Sequence, residues 1–401
     1  MDSDSATRPF RFFDNREKYL LFVTTCSEKW VIAERVGMEL KYLQPVPPAM
    51  RVFDAGMGDA TVLSQVMRQL HHHFPTIPFL IVGKEISQED VRISLEKMAD
   101  RFYEHPQTVL VITNLFYAEA PWLYPNSTAM QAKLNWWEAP LQGTSAYEFD
   151  GQIKNLHAYL REGWQTTTSR RTGNPVYVTP SVLILYRADY QFILGPIIPQ
   201  RGQRDHLYDL VIASQPFRAR LPAEVKVRNV LAPLASSLAP CGRMLTIQST
   251  GKDPGMEIIR NIWPDENPFQ TSRQMLLREL RAQLRSSQPD LRYHPYSDQR
   301  SEFSYSMHMQ PMEIGSNIGT STLLAAWNAA IYVAQIEDDR VHDVMGRGDY
   351  LRATREVLQK HQALWFTDES FVVIRHPRLS VFSLPLRRGR ARVGGEDQCC
   401  D

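Results

Sequence analysis

The chain has 401 residues, 43% hydrophobic and 22% charged, with a formal net charge of +1. Such proportions exclude a disordered, fibrous or nucleic-acid-coating protein and describe an ordinary globular chain. The length suits one enlarged α/β domain or two smaller ones.

In chain order, residues 1–9 are polar and expected to be loose. Residues 10–43 carry apolar side chains at helical spacing, among them Phe12, Tyr19, Phe22, Trp30, Val36 and Leu40, which predicts two helices. Pro45, Pro47 and Pro48 end that region, and 50–55 (MRVFDA) reads as a strand running into the glycine turn Gly56-Met57-Gly58. A helix over 60–73 and a buried strand over 79–83 (FLIVG) complete a β-turn-α-β unit, and a helix over 89–102 with a strand over 108–113 extends it. This alternation predicts a parallel sheet with helices on both faces. It resumes with strands at 208–214 and 243–249, joined through a helix at 223–238.

About ninety residues between these halves, 117–207, hold four tryptophans and a hairpin expected within 175–199. So long a connection should form its own subdomain, placed as a lid, a specificity wall or a homodimer contact. Residues 256–284 read as helical, 291–309 as strand material, 323–362 as mostly helical and 370–376 as a final strand; the tail reads as disordered. The apolar run 323–336 is shorter than the ~20 residues of a membrane span. With no basic-then-apolar leader at the N-terminus, the expected location is the cytoplasm, and Cys26, Cys241, Cys399 and Cys400 have neither metal nor disulfide spacing.

The glycine turn carries the chemistry. Without a Cβ, Gly56 and Gly58 let the backbone approach a ligand, and the helix beyond offers unpaired N–H groups. The third position of a dinucleotide fingerprint is Thr61, which disfavours a pyrophosphate-bound dinucleotide, and Asp54 would repel a pyrophosphate while attracting an ammonium. Glu85 ends the second strand, twenty-seven residues past Gly58, where a carboxylate can accept two ribose hydroxyls.

These residues resemble the class I S-adenosylmethionine-dependent methyltransferases. The stretch Asp54-Ala55-Gly56-Met57-Gly58-Asp59-Ala60 is similar to that family's first motif, Glu85 to its ribose acid, Asn114 to its adenine-proximal position, and 209–217 and 231–242 to its fourth-strand and fifth-strand motifs. Flanking segments near 12–22 and 365–374 are similar to small-molecule N-methyltransferases. The resemblance implies a Rossmann-like, seven-stranded, mostly parallel sheet whose last strand is antiparallel. It also implies S-adenosyl-L-methionine as cofactor, held by Asp54, Ala55, Gly56, Gly58, Glu85, Asn114 and Ser214. The expected organisation is a helical cap over 1–45, the α/β domain over 46–116 and 208–377, the insertion over 117–207 standing above the strands' C-terminal edge, and the tail over 378–401.

Ser214-Gln215-Pro216-Phe217 is similar to the tetrapeptide of amine-directed methyltransferases except at Gln215. In that reading Ser214 orients an amine and Phe217 stacks on the substrate, while His308 is a candidate base. Tyr19 from the cap, Trp136 and Trp137 from the insertion, and 303–309 are candidates to enclose the substrate. His71, His72 and His73 face different sides of a helix and make no compact metal site. The function implied is methyl transfer to a nitrogen, less readily an oxygen, of a small molecule, with no membrane or nucleic-acid partner. The alternatives are an RNA or protein methyltransferase and a non-catalytic methyltransferase-like binding protein.

Overall fold

The computed structural model describes residues 16–169, 173–309 and 318–377. The expectations for residues 1–9, Phe12, Cys399, Cys400 and the tail fall outside the described residues.

The strands are β1 (Met50–Asp54), β2 (Phe79–Lys84), β3 (Thr108–Thr113), β4 (Asn135–Leu141), β5 (Thr166–Thr168), β6 (Pro175–Tyr177), β7 (Ser181–Arg187), β8 (Tyr208–Ser214), β9 (Leu238–Ser249), β10 (Leu291–His294), β11 (Glu302–Ser306) and β12 (Trp365–Arg375). Ten of them form one sheet in the order β10-β12-β9-β8-β1-β2-β3-β7-β4, with β11 also against β12. Five strands from β9 to β3 are mutually parallel. The final strand β12 runs antiparallel to β9, as expected. This is a Rossmann-like α/β sheet of the class I methyltransferase type, with one correction: it has ten strands, not seven.

Two of the extra strands come from the insertion. β7 pairs antiparallel with β3 and parallel with β4, so the 117–207 segment widens the sheet instead of standing wholly above it. The expected 175–199 hairpin is absent: β6 pairs with β5, and β7 enters the main sheet. The physical reason lies in SVLILYR, which is buried along its whole length. A strand packed on both faces shows a continuous apolar run, where an exposed hairpin would alternate. Burying Val182, Leu183, Ile184 and Leu185 contributes, as an upper bound, on the order of 6–12 kcal/mol. The third addition is β11, which continues the β10 edge along β12.

Helices α1 (Arg16–Thr25) and α2 (Glu28–Leu40) are the two that the helical spacing predicts before β1, and α3 (Thr61–His73) follows the glycine turn. The expected 89–102 helix breaks at Lys97 into α4 (Gln88–Glu96) and α5 (Met98–Glu104). One face of the sheet packs on α2, α3, α4 and α5 through Val36, Leu63, Leu95 and Phe102. The other packs on the helix Arg273–Leu284 and the turns near 227–235. Buried Glu39 ties α2 to the sheet, accepting from Arg243 at 2.8 Å and from Arg35 at 2.9 Å. A third cluster joins α1 to the helices Pro254–Ile262 and Thr320–Val333 through Phe22, Ile259, Trp327 and Ala330. Among the described residues no helix is long and apolar enough to cross a membrane.

Candidate functional site

β1 has β2 on one side and β8 on the other, and each of these leads away in opposite directions along the sheet. Strand order reversing at that point opens a crevice at the strands' carboxyl ends. A cavity of about 1050 Å³ occupies it, lined by Asp54, Gly56 and Gly58 after β1, Glu85 after β2, and Ser214, Gln215 and Phe217 after β8. Such a volume is at the upper end for small-molecule sites.

The Gly56 amide donates to Asp54 Oδ1 at 3.2 Å, and a Cβ built on Gly56 would meet no protein atom within 4 Å. Gly58 has φ +50, the left-handed region that favours glycine. Its amide donates to Glu85 Oε2 at 3.0 Å, while Glu85 Oε1 accepts from the Ile86 and Ser87 amides at 2.7 and 2.9 Å. Three of the carboxylate's roughly four acceptor positions are therefore used. Glu85 has room for one ligand hydroxyl in this arrangement, not the two anticipated. Burial pushes the Asp54 carboxyl up to about 7, with Glu85 adding to the rise and the Gly56 amide and Lys29 opposing it.

Asp59 locks the turn. Its carboxylate accepts from Tyr19 Oη at 3.0 Å, Lys97 Nζ at 2.7 Å and Thr61 Oγ1 at 2.5 Å. Tyr19 of α1 lines the cavity, and Tyr332 joins it there, the ring centroids 6.0 Å apart. Lys29 from α2 lines the same wall, 3.0 Å from Glu28.

At the far end, Gln215 sits at φ +47 and donates through Nε2 to Ser249 Oγ at 2.9 Å and Asp368 Oδ2 at 3.3 Å. Burial, with Glu28 nearby, raises Asp368 to about 8. Ser214 and Phe217 flank Gln215 on the cavity wall, and Lys226 lies beside Phe217.

Four expectations are corrected. Asn114, 1% exposed, does not line the cavity: Nδ2 donates to the Gly163 and Thr179 carbonyls, each at 2.9 Å, and Oδ1 accepts from the Ser181 amide at 2.8 Å. These bonds fasten the insertion. His308 is exposed and outside the lining, its backbone amide bonded to the Thr25 carbonyl. Ala55 is wholly buried behind the turn, its amide donating to the Ile212 carbonyl at 2.9 Å. Trp136 and Trp137 lie on β4 away from the lining, as does the strand 303–306. From the insertion, Trp164 Nε1 instead braces the Glu85 carbonyl at 2.9 Å, and Asn174, Pro175 and Val176 reach the cavity mouth.

Lys29, Asp59, Lys97, Tyr332 and Lys226 escape the sequence reading. Asp59 had a signal, an acid at the start of a helix following a glycine turn. Lys226 had another, a lone lysine between two valines in an apolar segment. Among the described residues no three His, Cys, Asp or Glu side chains form a metal site, and His71 instead meets His105 at 2.9 Å.

No protein-family model and no curated protein matches the chain. Solved structures do. A geranyl diphosphate methyltransferase in complex with GPP and sinefungin aligns with 85% of this chain and 77% of its own, at 11% identity and a TM-score of 0.32. Phosphoethanolamine N-methyltransferase 2 of Haemonchus contortus, in complex with S-adenosyl-L-methionine, aligns with 86% of this chain and 53% of its own, at 10% identity and a TM-score of 0.30. The plantazolicin methyltransferase BpumL in complex with SAH aligns with 91% and 88%, at 11% identity and 0.28. Likeness this distant says nothing of substrate. The sheet and its crevice give the chain a Rossmann-like, mostly parallel α/β fold with a cavity at the strands' carboxyl ends.

Proposed function

We propose that the chain is an S-adenosylmethionine-dependent methyltransferase that transfers the methyl group in line to a nitrogen of a small molecule. The observation that carries this reading is the open face of Gly56. It borders a cavity in which the carboxyl groups of Asp54 and Glu85 stand at the ends of adjacent strands.

The residues present fit the cofactor. Gly56 leaves room for its methionine part, Asp54 lies where an ammonium would favour its ionised form, and Glu85 keeps one acceptor for a ribose hydroxyl. When bound, the cofactor supplies an activated sulfonium methyl. The protein's task is then to hold a nucleophile in line and keep water away. Tyr19 and Tyr332 close the cap side, and Phe217 provides a flat apolar wall opposite. Ser214 at the end of β8 supplies acceptors to aim an amine's lone pair. Gln215 cannot turn away while Asp368 and Ser249 hold its amide, which keeps the Ser214 to Phe217 wall in one shape.

The test incubates the protein with methyl-labelled cofactor and a cell extract, then separates small molecules, RNA and protein. Label in the small-molecule fraction is expected, and label in RNA or protein changes the acceptor class. Failure of S-adenosylhomocysteine to bind in calorimetry, or tight NAD binding, overturns the reading.

A further inference from the structure

The cavity is lined by charges of both signs. Asp54, Asp59, Glu85, Glu89 and Asp90 line the glycine end, where Lys29 is paired with Glu28 and Lys84 lies over the Tyr117 ring. The segment after β8 contributes Arg218, Lys226 and Arg228 to the same lining. Arg228 is exposed and pairs with Glu224, so it adds potential more than recognition.

Lys226 is different. It is 2% exposed, lies on the cavity wall, and its ammonium sits 4.8 Å from the centre of the Phe217 ring. Among the described residues no oxygen accepts a hydrogen bond from it. The nearest acid by field is Glu369, whose carboxylate is committed to Arg273 at 2.7 Å and Gln248 at 2.8 Å. Burial lowers its pKa to about 8, which still leaves it mostly protonated at neutral pH. A buried cation without an acceptor is costly unless an anion completes it. The backbone there is irregular as well: Val227–Leu231 is a π-helical turn, a feature frequent at functional sites. That turn puts Arg228, Asn229 and Val230 on the same wall.

From this juxtaposition we infer that Lys226 forms an anion subsite, binding a carboxylate or phosphate group of the acceptor substrate while its reacting atom lies toward Ser214. The inference deepens the methyltransferase reading and rests on its placing the cofactor at the glycine end. It narrows the substrate to a molecule with a nucleophile at one end and a negative charge at the other.

The test titrates inorganic phosphate, and separately acetate, into the protein with and without saturating S-adenosylhomocysteine, followed by calorimetry. Saturable binding of at least one anion is expected, weakened about ten- to hundredfold in Lys226→Met and largely restored in Lys226→Arg. Which anion binds more tightly identifies the group. S-adenosylhomocysteine affinity should be unchanged in both variants. A melting curve guards against misfolding: Lys226→Met, which keeps the stem's bulk and removes the uncompensated charge, should melt no lower than wild type. Absence of saturable binding of either anion, equal affinity in Lys226→Met, or a lower melting temperature without an affinity change overturns the subsite. Anion binding without S-adenosylhomocysteine binding keeps the subsite and removes the methyltransferase reading.

Discussion

Gly56 is where ligand binding and folding can be separated. Its φ lies outside the left-handed region, and a Cβ there meets nothing within 4 Å. Alanine therefore suits the ligand-free fold, and by narrowing the unfolded ensemble it should stabilise by about 0.4–1 kcal/mol. The same methyl projects where the proposed cofactor must lie against the backbone. Loss of one backbone contact, worth about 0.5–1.5 kcal/mol net, together with the packing around it, predicts an affinity roughly tenfold weaker. Gly58→Ala is the contrast. At φ +50, with a Cβ placed 3.0 Å from Tyr19 Oη, it forces a left-handed alanine costing about 1–2 kcal/mol and disturbs the Tyr19 bond to Asp59. Calorimetry with S-adenosylhomocysteine beside melting curves reads both quantities. Wild-type affinity in a folded Gly56→Ala, or a stability loss there matching that of Gly58→Ala, refutes the reasoning.

Two further outcomes follow from buried polar groups. Burial raises Asp54 to about 7 and Asp368 to about 8, above the ~3.9 of an unfolded aspartate, so their contribution is fully present below about pH 4 and is lost as pH rises through 7 and 8. For Asp54 that loss is on the order of 4 kcal/mol spread between about pH 4 and pH 7, so Asp54→Asn should flatten the decline in ligand-free stability over that range, and parallel melting profiles for variant and wild type would contradict it. Asn114→Ala strands the partners of three buried hydrogen bonds and should cost about 3 kcal/mol or more, with S-adenosylhomocysteine affinity unchanged in the folded variant. An affinity loss at an unchanged melting temperature would return Asn114 to the ligand.

The parts of the fold legible in the sequence are those where burial acts on a single element. β1, β2, β3 and β8 are short apolar runs closed by glycine, proline or polar residues, and each forms within a residue or two of its expected bounds. The turn after β1 is legible for a related reason. A backbone that turns sharply from strand to helix beside a cavity favours residues without a Cβ, and Gly56 and Gly58 stand on either side of Met57 with the acids around them. Lys29 and Tyr332 were not legible, because each reaches the cavity from a separate helix and only the tertiary packing of α2 and Thr320–Val333 around α1 places them.

The misplacement of Asn114 has a physical cause that also explains the sheet. A residue ending a strand emerges at the carboxyl edge, and were β3 the outermost strand, Asn114 would face the crevice. β7 and β4 lie beyond β3, however, so the end of β3 is interior to a wider sheet and its polar side chain must be satisfied by protein. The partners are at hand: the Ser181 amide, at the start of β7, and the Gly163 and Thr179 carbonyls all come from the insertion. Trp164, immediately after Gly163, then bonds the Glu85 carbonyl. Hydrogen bonds and the Gly163–Trp164 peptide therefore link the added strands to the backbone carbonyl of Glu85, the residue whose carboxylate is proposed for the ribose. The insertion braces the loop after β2 at the Glu85 carbonyl through Trp164, while Asn114 fastens the insertion to the end of β3.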